Sequence, residues 1–270
     1  MGAPVSAMAF VLGALVGLTL ALTGAGGGIL AVPLLVFGLK LAIAEAAPVG
    51  LLAVGLAAAL GALLGLRERQ VRYRAALLIG AAGMLVAPLG VELAQRVPNR
   101  PLTVAFALVM AYSAWRALLR SRANGLPAVP RVAPRCERDP GTGRFRWTAA
   151  CARVLAATGL GSGLLSGLLG VGGGFVIVPA LTRWTDLDPR SIVSTSLAVI
   201  ALVSVSGVAS AAAKGAMAWP IALPFAAGAM AALLVGRRVA GRSSGTTLMQ
   251  RSFAALCAVV ALTLLVRGLA

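Results

Sequence analysis

Apolar runs long enough to cross a bilayer follow one another along most of this chain, and they leave few folds open. A spanning helix needs about 20 apolar residues for a hydrocarbon core about 30 Å thick. Such stretches occupy Ala46–Leu66, Ala75–Ala94, Leu102–Leu119, Ile192–Ala213 and Trp219–Val235. A shorter one covers Ser252–Val266, where Arg251 and Arg267 can snorkel to the interfaces. Of the 270 residues, 60% are hydrophobic and 11% charged, too few charges to coat a water-facing surface. In lipid every backbone polar group needs an internal partner, which leaves helices for runs of this length. The expected fold is an all-α polytopic membrane protein. The stretch Met1–Leu22 lacks the basic start of a signal peptide, and its apolar run continues past a signal's length. It reads as part of the membrane domain.

Two further runs, Ser6–Leu39 and Arg153–Leu181, are longer, and each is interrupted by glycines and then a proline. They are copies of one pattern. At an offset of 146 positions, GAGGGILAVP from Gly24 to Pro33 falls on GVGGGFVIVP from Gly170 to Pro179. At the same offset Gly13 falls on Gly159 and Gly17 on Gly163. An internal repeat governs the fold. The chain therefore divides into a first membrane repeat over 1–120, a polar linker over 121–147 and a second membrane repeat over 148–270. The linker carries Pro127, Pro130, Pro134 and Pro140 with several arginines and no apolar periodicity.

Charge orients the repeats. If each interrupted segment crosses the bilayer, both halves point the same way and basic residues fall on both sides. If each enters and turns back, the halves are inverted. Arg67, Arg69, Arg72, Arg74, Arg183, Arg190, Arg237, Arg238, Arg242 and Arg251 then join the linker arginines on one side. Lys40, Arg96, Arg100, Lys214 and Arg267 remain opposite. Cytoplasmic loops collect Lys and Arg. The inverted arrangement obeys that bias better and makes the linker cytoplasmic. Each repeat then holds one glycine-broken re-entrant segment and three transmembrane helices, about eight segments in all.

Triple glycines are poor helix material, at about 1 kcal/mol each relative to Ala. Broken helices at matching positions of two repeats point to a central binding site. A half-helix that starts after the triplet offers free N–H groups and the positive end of its dipole, which favours an anion. The candidate substrate-binding residues are Gly24, Gly26, Gly27, Gly28, Gly170, Gly172, Gly173 and Gly174, with Pro33 and Pro179 as helix breakers. The alternative role for such glycines is close helix packing. Thr195 and Ser196, near the start of a span, are candidate hydroxyls for the same site, and bonding back to their own helix is the other option. Their counterparts in the first repeat are Val49 and Gly50. No strand or βαβ unit surrounds the glycines, so a dinucleotide site is not expected.

Other chemistry is scarce. The net charge is +17, yet the basic residues lie between apolar runs, which fits anionic lipid headgroups rather than nucleic acid. The chain has no His, and its three cysteines, Cys136, Cys151 and Cys257, form neither a CxxC pair nor an even disulfide set. They read as apolar fillers or idle thiols. No metal site, cofactor, ATP-binding P-loop or enzyme active site is expected. Among the carboxylates, Glu92 lies late in its span with Arg96 one turn on, which reads as an i,i+4 pair.

The paired motifs GAGGGILAVPLL and GVGGGFVIVPAL, with STSLAV after the second, resemble the TauE/SafE family of sulfite and organosulfonate exporters over nearly the whole chain. In the first repeat Pro48-Val49-Gly50 replaces the polar residues usual in that family. The resemblance implies a secondary transporter that exports a small anion, sulfite or an organosulfonate, across a bacterial inner membrane. An anion channel or an importer of a small sulfur-containing anion would use the same site.

Overall fold

A computed structural model describes residues 3–123, 136, 148–240, 255 and 257–263. Among these residues the chain is helical, without a strand. The first half contains α1 (Ala3–Thr23), a 3-10 segment (Gly24–Leu30), α2 (Ala31–Gly38), α3 (Ile43–Arg67), α4 (Tyr73–Arg96) and α5 (Asn99–Ala123). The second contains α6 (Ala149–Leu169), α7 (Gly174–Trp184), α8 (Pro189–Ala213) and α9 (Trp219–Ala240). Residues 257–263 are also helical. Five described helices, α3, α4, α6, α8 and α9, are long and apolar enough to cross a membrane. At 1.5 Å per residue α5 has the length as well.

Local chemistry sets several helix ends. The Thr148 side chain accepts the Cys151 N–H and starts α6. Asp188 accepts the Ser191 N–H and starts α8, with Pro189 in the first turn, where no N–H is needed. Gly170 ends α6 at φ +69°, a left-handed conformation that glycine adopts without steric cost.

Packing follows the glycines. A Cβ at Gly13 would strike the Phe225 carbonyl and one at Gly17 the Ala229 carbonyl, while Gly236 lies against Ala21. These contacts climb both helices together, so α1 runs alongside α9 in the same direction. On α6, Gly159 meets Ile79, Gly163 meets Gly83 and Gly167 meets Ala87, so α6 likewise runs with α4. Apolar burial drives little association between helices in lipid, and close backbone approach through small residues takes its place. Between these pairs α3 packs on α8. Folding back along α1, the chain brings Gly27 against Leu20 and Gly38 against Leu12 and Met8.

Polar contacts place the helix ends. Arg237 of α9 donates to the Gly61 carbonyl at 2.9 Å and pairs with Glu68 at 3.1 Å. Ser194 of α8 donates to Gln70 at 3.2 Å. Thus the α3–α4 turn lies with the start of α8 and the end of α9. At the other end of the molecule Glu92 of α4 pairs with Lys214 of the α8–α9 turn and, at 2.7 Å, with Arg96. The expected Glu92–Arg96 pair is present, and Lys214 joins it.

One expectation is corrected. Cys136 and Cys151 form a disulfide, and only Cys257 is free among the described cysteines. The Cys136 N–H donates to the Trp184 carbonyl at 3.0 Å, which holds it at the end of α7 beside the first turn of α6. Two cysteines 15 residues apart carry no sequence signal of that tertiary contact. Most of the linker 121–147 and of the run Ser252–Val266 lies outside the described residues.

Candidate functional site

The two glycine clusters meet inside the helix bundle. A Cβ at Gly28 would stand 2.9 Å from the Val171 carbonyl oxygen and 3.0 Å from Val54. One at Gly172 would stand 3.0 Å from the same Val54 side chain. On α3, a Cβ at Gly50 would stand 3.2 Å from the Gly170 carbonyl oxygen, and Gly170 lies against the Ala47 backbone. The two breaks therefore converge on the first half of α3.

Their backbones differ. Gly24, Gly26, Gly27 and Gly28 lie in the 3-10 segment that leads into α2. Gly170, Gly172 and Gly173 take φ of +69°, +74° and +68°, and Gly174 is the first residue of α7. Neither α2 nor α7 has a side-chain N-cap: α2 runs on from the 3-10 segment, and at the start of α7 the Gly173 carbonyl accepts the Val176 N–H at 3.0 Å and the Ile177 N–H at 3.2 Å. The prolines do not break the chain. Pro33 occupies the first turn of α2, where its missing N–H is no loss, and α7 continues through Pro179.

Hydroxyls are the polar groups of the interior. Every buried polar or charged side chain among the described residues is Ser or Thr. Thr158, Ser162 and Ser166 come from α6, and Ser194, Thr195, Ser196 and Ser204 from α8. Of the two sequence candidates, Thr195 accepts the Arg72 N–H at 3.1 Å, and Ser196 donates to its own helix at the Val193 carbonyl, 2.8 Å away. Both hydroxyls are thus engaged. Ser162, against Gly173, donates to the Gly159 carbonyl at 3.1 Å. Ser166 is not among the sequence candidates. It is fully buried one turn before the second break, and its Oγ has no partner. Ser204 Oγ is also without a partner, but it faces Gly55 between α8 and α3.

This interior offers donors and no buried carboxylate. No group of His, Cys, Asp or Glu among the described residues could hold a metal ion. The buried polar side chains here are hydroxyls, each able to donate or accept, and the Gly170 and Val171 carbonyls stand beside the glycines of the meeting point.

Long apolar helices packed around such a centre define a multi-pass membrane protein. The chain belongs to the sulfite exporter TauE/SafE family, whose model matches residues 9–264. A probable membrane transporter protein of Xylella fastidiosa strain 9a5c is 30% identical over 259 residues, 95% of this chain and 93% of that one. Its counterpart in strain Temecula1 is 29% identical over 262 residues, with the same shares. The probable membrane transporter protein YunE of Bacillus subtilis is 26% identical over 226 residues, 81% of this chain and 82% of that one. No solved structure matches.

Proposed function

We propose that this membrane transporter exports a small anion, sulfite or an organosulfonate, from the cytoplasm, and that the anion binds where the two glycine breaks converge. The observation that carries the reading is the convergence itself: Gly28 and Gly172 share the Val54 side chain where α2 and α7 begin, and Ser166, one turn before the second break, has no partner. Glycines admit the anion to the backbone, and the helix starts supply N–H groups and dipole charge.

The chain consists of two inverted repeats. The sequence offset maps α1 on α6 and α4 on α9, and the packing pairs exchange accordingly, α1 with α9 and α6 with α4. The ends support inversion: the start of α8 lies with the end of α3, its repeat counterpart. Each glycine-broken hairpin enters and leaves on one side, as the return of α2 along α1 favours. The arginine-rich end, with Arg67–Arg74 and Arg237, faces the cytoplasm.

The test is flux in proteoliposomes against sulfite, sulfate, thiosulfate, sulfoacetate and taurine. Saturable, mutually competing flux of sulfite or a sulfonate is expected. Flux restricted to sulfate or to uncharged solutes would overturn the substrate class, and flux that never runs against an imposed gradient would make the protein a channel. Leu at Gly27 or Gly173 would collide with the α1 or α6 backbone, so lost flux there would also report lost fold. Ser166→Ala is the cleaner probe of the site.

A further inference from the structure

Away from the glycine breaks, α3 and α4 diverge above α8 and leave a crevice of about 670 Å³. Leu56 and Leu63 of α3, Tyr73 and Leu77 of α4 and Leu202 and Val205 of α8 line it. All of these except Leu202 are exposed, so the crevice opens sideways toward the bilayer. Alanines of all three helices line it too, and their short side chains give it depth. From Leu52 to Leu66, the lining residues of α3 at either end, the helix rise gives about 21 Å. That is enough for the hydrocarbon of one leaflet, half of a core about 30 Å thick.

One end of this apolar crevice is strongly basic. Leu66 and Tyr73 lie at that end, and the turn between them carries Arg67, Arg69 and Arg72, with Arg74 just beyond. Arg67, Arg69 and Arg74 are exposed. The nearby carboxylate, Glu68, is held by Arg237, and no described carboxylate pairs with Arg67, Arg69, Arg72 or Arg74. The Arg72 Nε is buried and has no hydrogen-bond partner. The Arg74 guanidinium stands over the Tyr73 ring, 6.0 Å from its centroid, at the crevice mouth. An apolar slot one leaflet deep, ending in guanidinium groups without counter-ions, matches one kind of molecule.

We infer that the crevice between α3 and α4 holds an acyl chain of an anionic phospholipid from the leaflet at the arginine-rich end, with its phosphate bound by Arg67, Arg69, Arg72 and Arg74. The site is separate from the glycine breaks, which lie on the Val54 side of α3. It depends on membrane insertion and on no property of the transported anion.

The test takes the full chain from vesicles of equal phosphatidylglycerol and phosphatidylcholine and counts the lipids retained by native mass spectrometry. One phosphatidylglycerol is expected to stay in preference to phosphatidylcholine. The triple change Arg67→Gln, Arg69→Gln and Arg74→Gln should abolish the preference, at about fivefold per arginine at low salt. Leu63→Trp and Leu77→Trp, which fill the slot from its exposed rim, should each lower retention of both lipids while the arginines remain. Equal retention of the two lipids by the wild type, or retention unchanged in all variants, would overturn the site. So would efficient cross-linking of Leu63→Cys between two copies with lipid retention unaffected, which would assign the crevice to a second chain. All variants must elute as monodisperse protein, and a Trp variant that does not is replaced by the other.

Discussion

Ser166 is where packing and function separate most cleanly. An unpaired buried polar group costs about 1–3 kcal/mol, so stability alone gives no reason for a hydroxyl there. Ser166→Ala should keep or raise the thermal midpoint of the purified protein while lowering anion flux. Unaltered flux with a lowered midpoint would return the residue to a structural role. Thr195 should behave in the opposite way. Its Oγ1 accepts the Arg72 amide and ties α8 to the α3–α4 turn. Thr195→Val keeps the shape and orphans that amide, so a loss of about 1 kcal/mol is expected, read as a lower midpoint in detergent. In the sequence, Thr195 and Ser196 stand out as hydroxyls at the start of an apolar run, and Ser162 and Ser166 do not. Those two stand in Gly161-Ser162-Gly163 and Ser166-Gly167, where the pattern reads as close helix packing. Which serine bonds back to its helix is a matter of side-chain geometry. Ser162 does and Ser166 does not, and the letters are the same.

At the scale of elements, the glycines that align the two repeats turn out to be contact faces. Gly13 and Gly17 seat α1 on α9, and Gly159, Gly163 and Gly167 seat α6 on α4. Any side chain at Gly163 meets the Gly83 backbone, whereas one at Gly161 meets nothing within 4 Å. Gly163→Val should therefore remove most monodisperse protein from a size-exclusion profile, and Gly161→Val should leave the profile unchanged. Equal yields from both would mean that α6 does not depend on close approach to α4. The long helices were legible because hydropathy alone marks them: the run Ala46–Leu66 became α3 (Ile43–Arg67), and Ile192–Ala213 became α8 (Pro189–Ala213). The position of the breaks was legible too, but not what makes them. The chain turns at left-handed Gly170, Gly172 and Gly173, while helix runs through both prolines. A proline near a helix start loses little, so its presence after a glycine run marks a beginning as readily as an end.

At the scale of the whole molecule, the arginine-rich end also carries the Cys136–Cys151 bond, a contact that sequence spacing could not announce because folding alone brings the two residues together. Disulfides persist in oxidising compartments, and basic loops stay in the cytoplasm. With that end in the cytoplasm, the bond seen between Cys136 and Cys151 is one that the reducing cytosol opens to two adjacent thiols. Maleimide added to acid-quenched cells without reductant should therefore label both cysteines. Full protection of both, released by a reductant, would move that end to the oxidising side and overturn the assigned orientation. The same orientation bears on energy. Export of an anion from a cell with a negative interior is favoured by about 2.3 kcal/mol per charge per 100 mV, so proton coupling is not required to drive it. Among the described residues the buried polar side chains are all hydroxyls, Glu45 is exposed at the start of α3, and Glu68 is paired with Arg237. Glu92 sits at the end of α4 and pairs with both Arg96 and Lys214. If the anion is sulfite, as proposed, a proton can cross on the substrate itself, as bisulfite. Glu92→Gln vesicles should thus keep both downhill flux and its response to a pH gradient. If the gradient response vanishes while downhill flux survives, Glu92 is the coupling group and the carboxylate-free pathway is wrong.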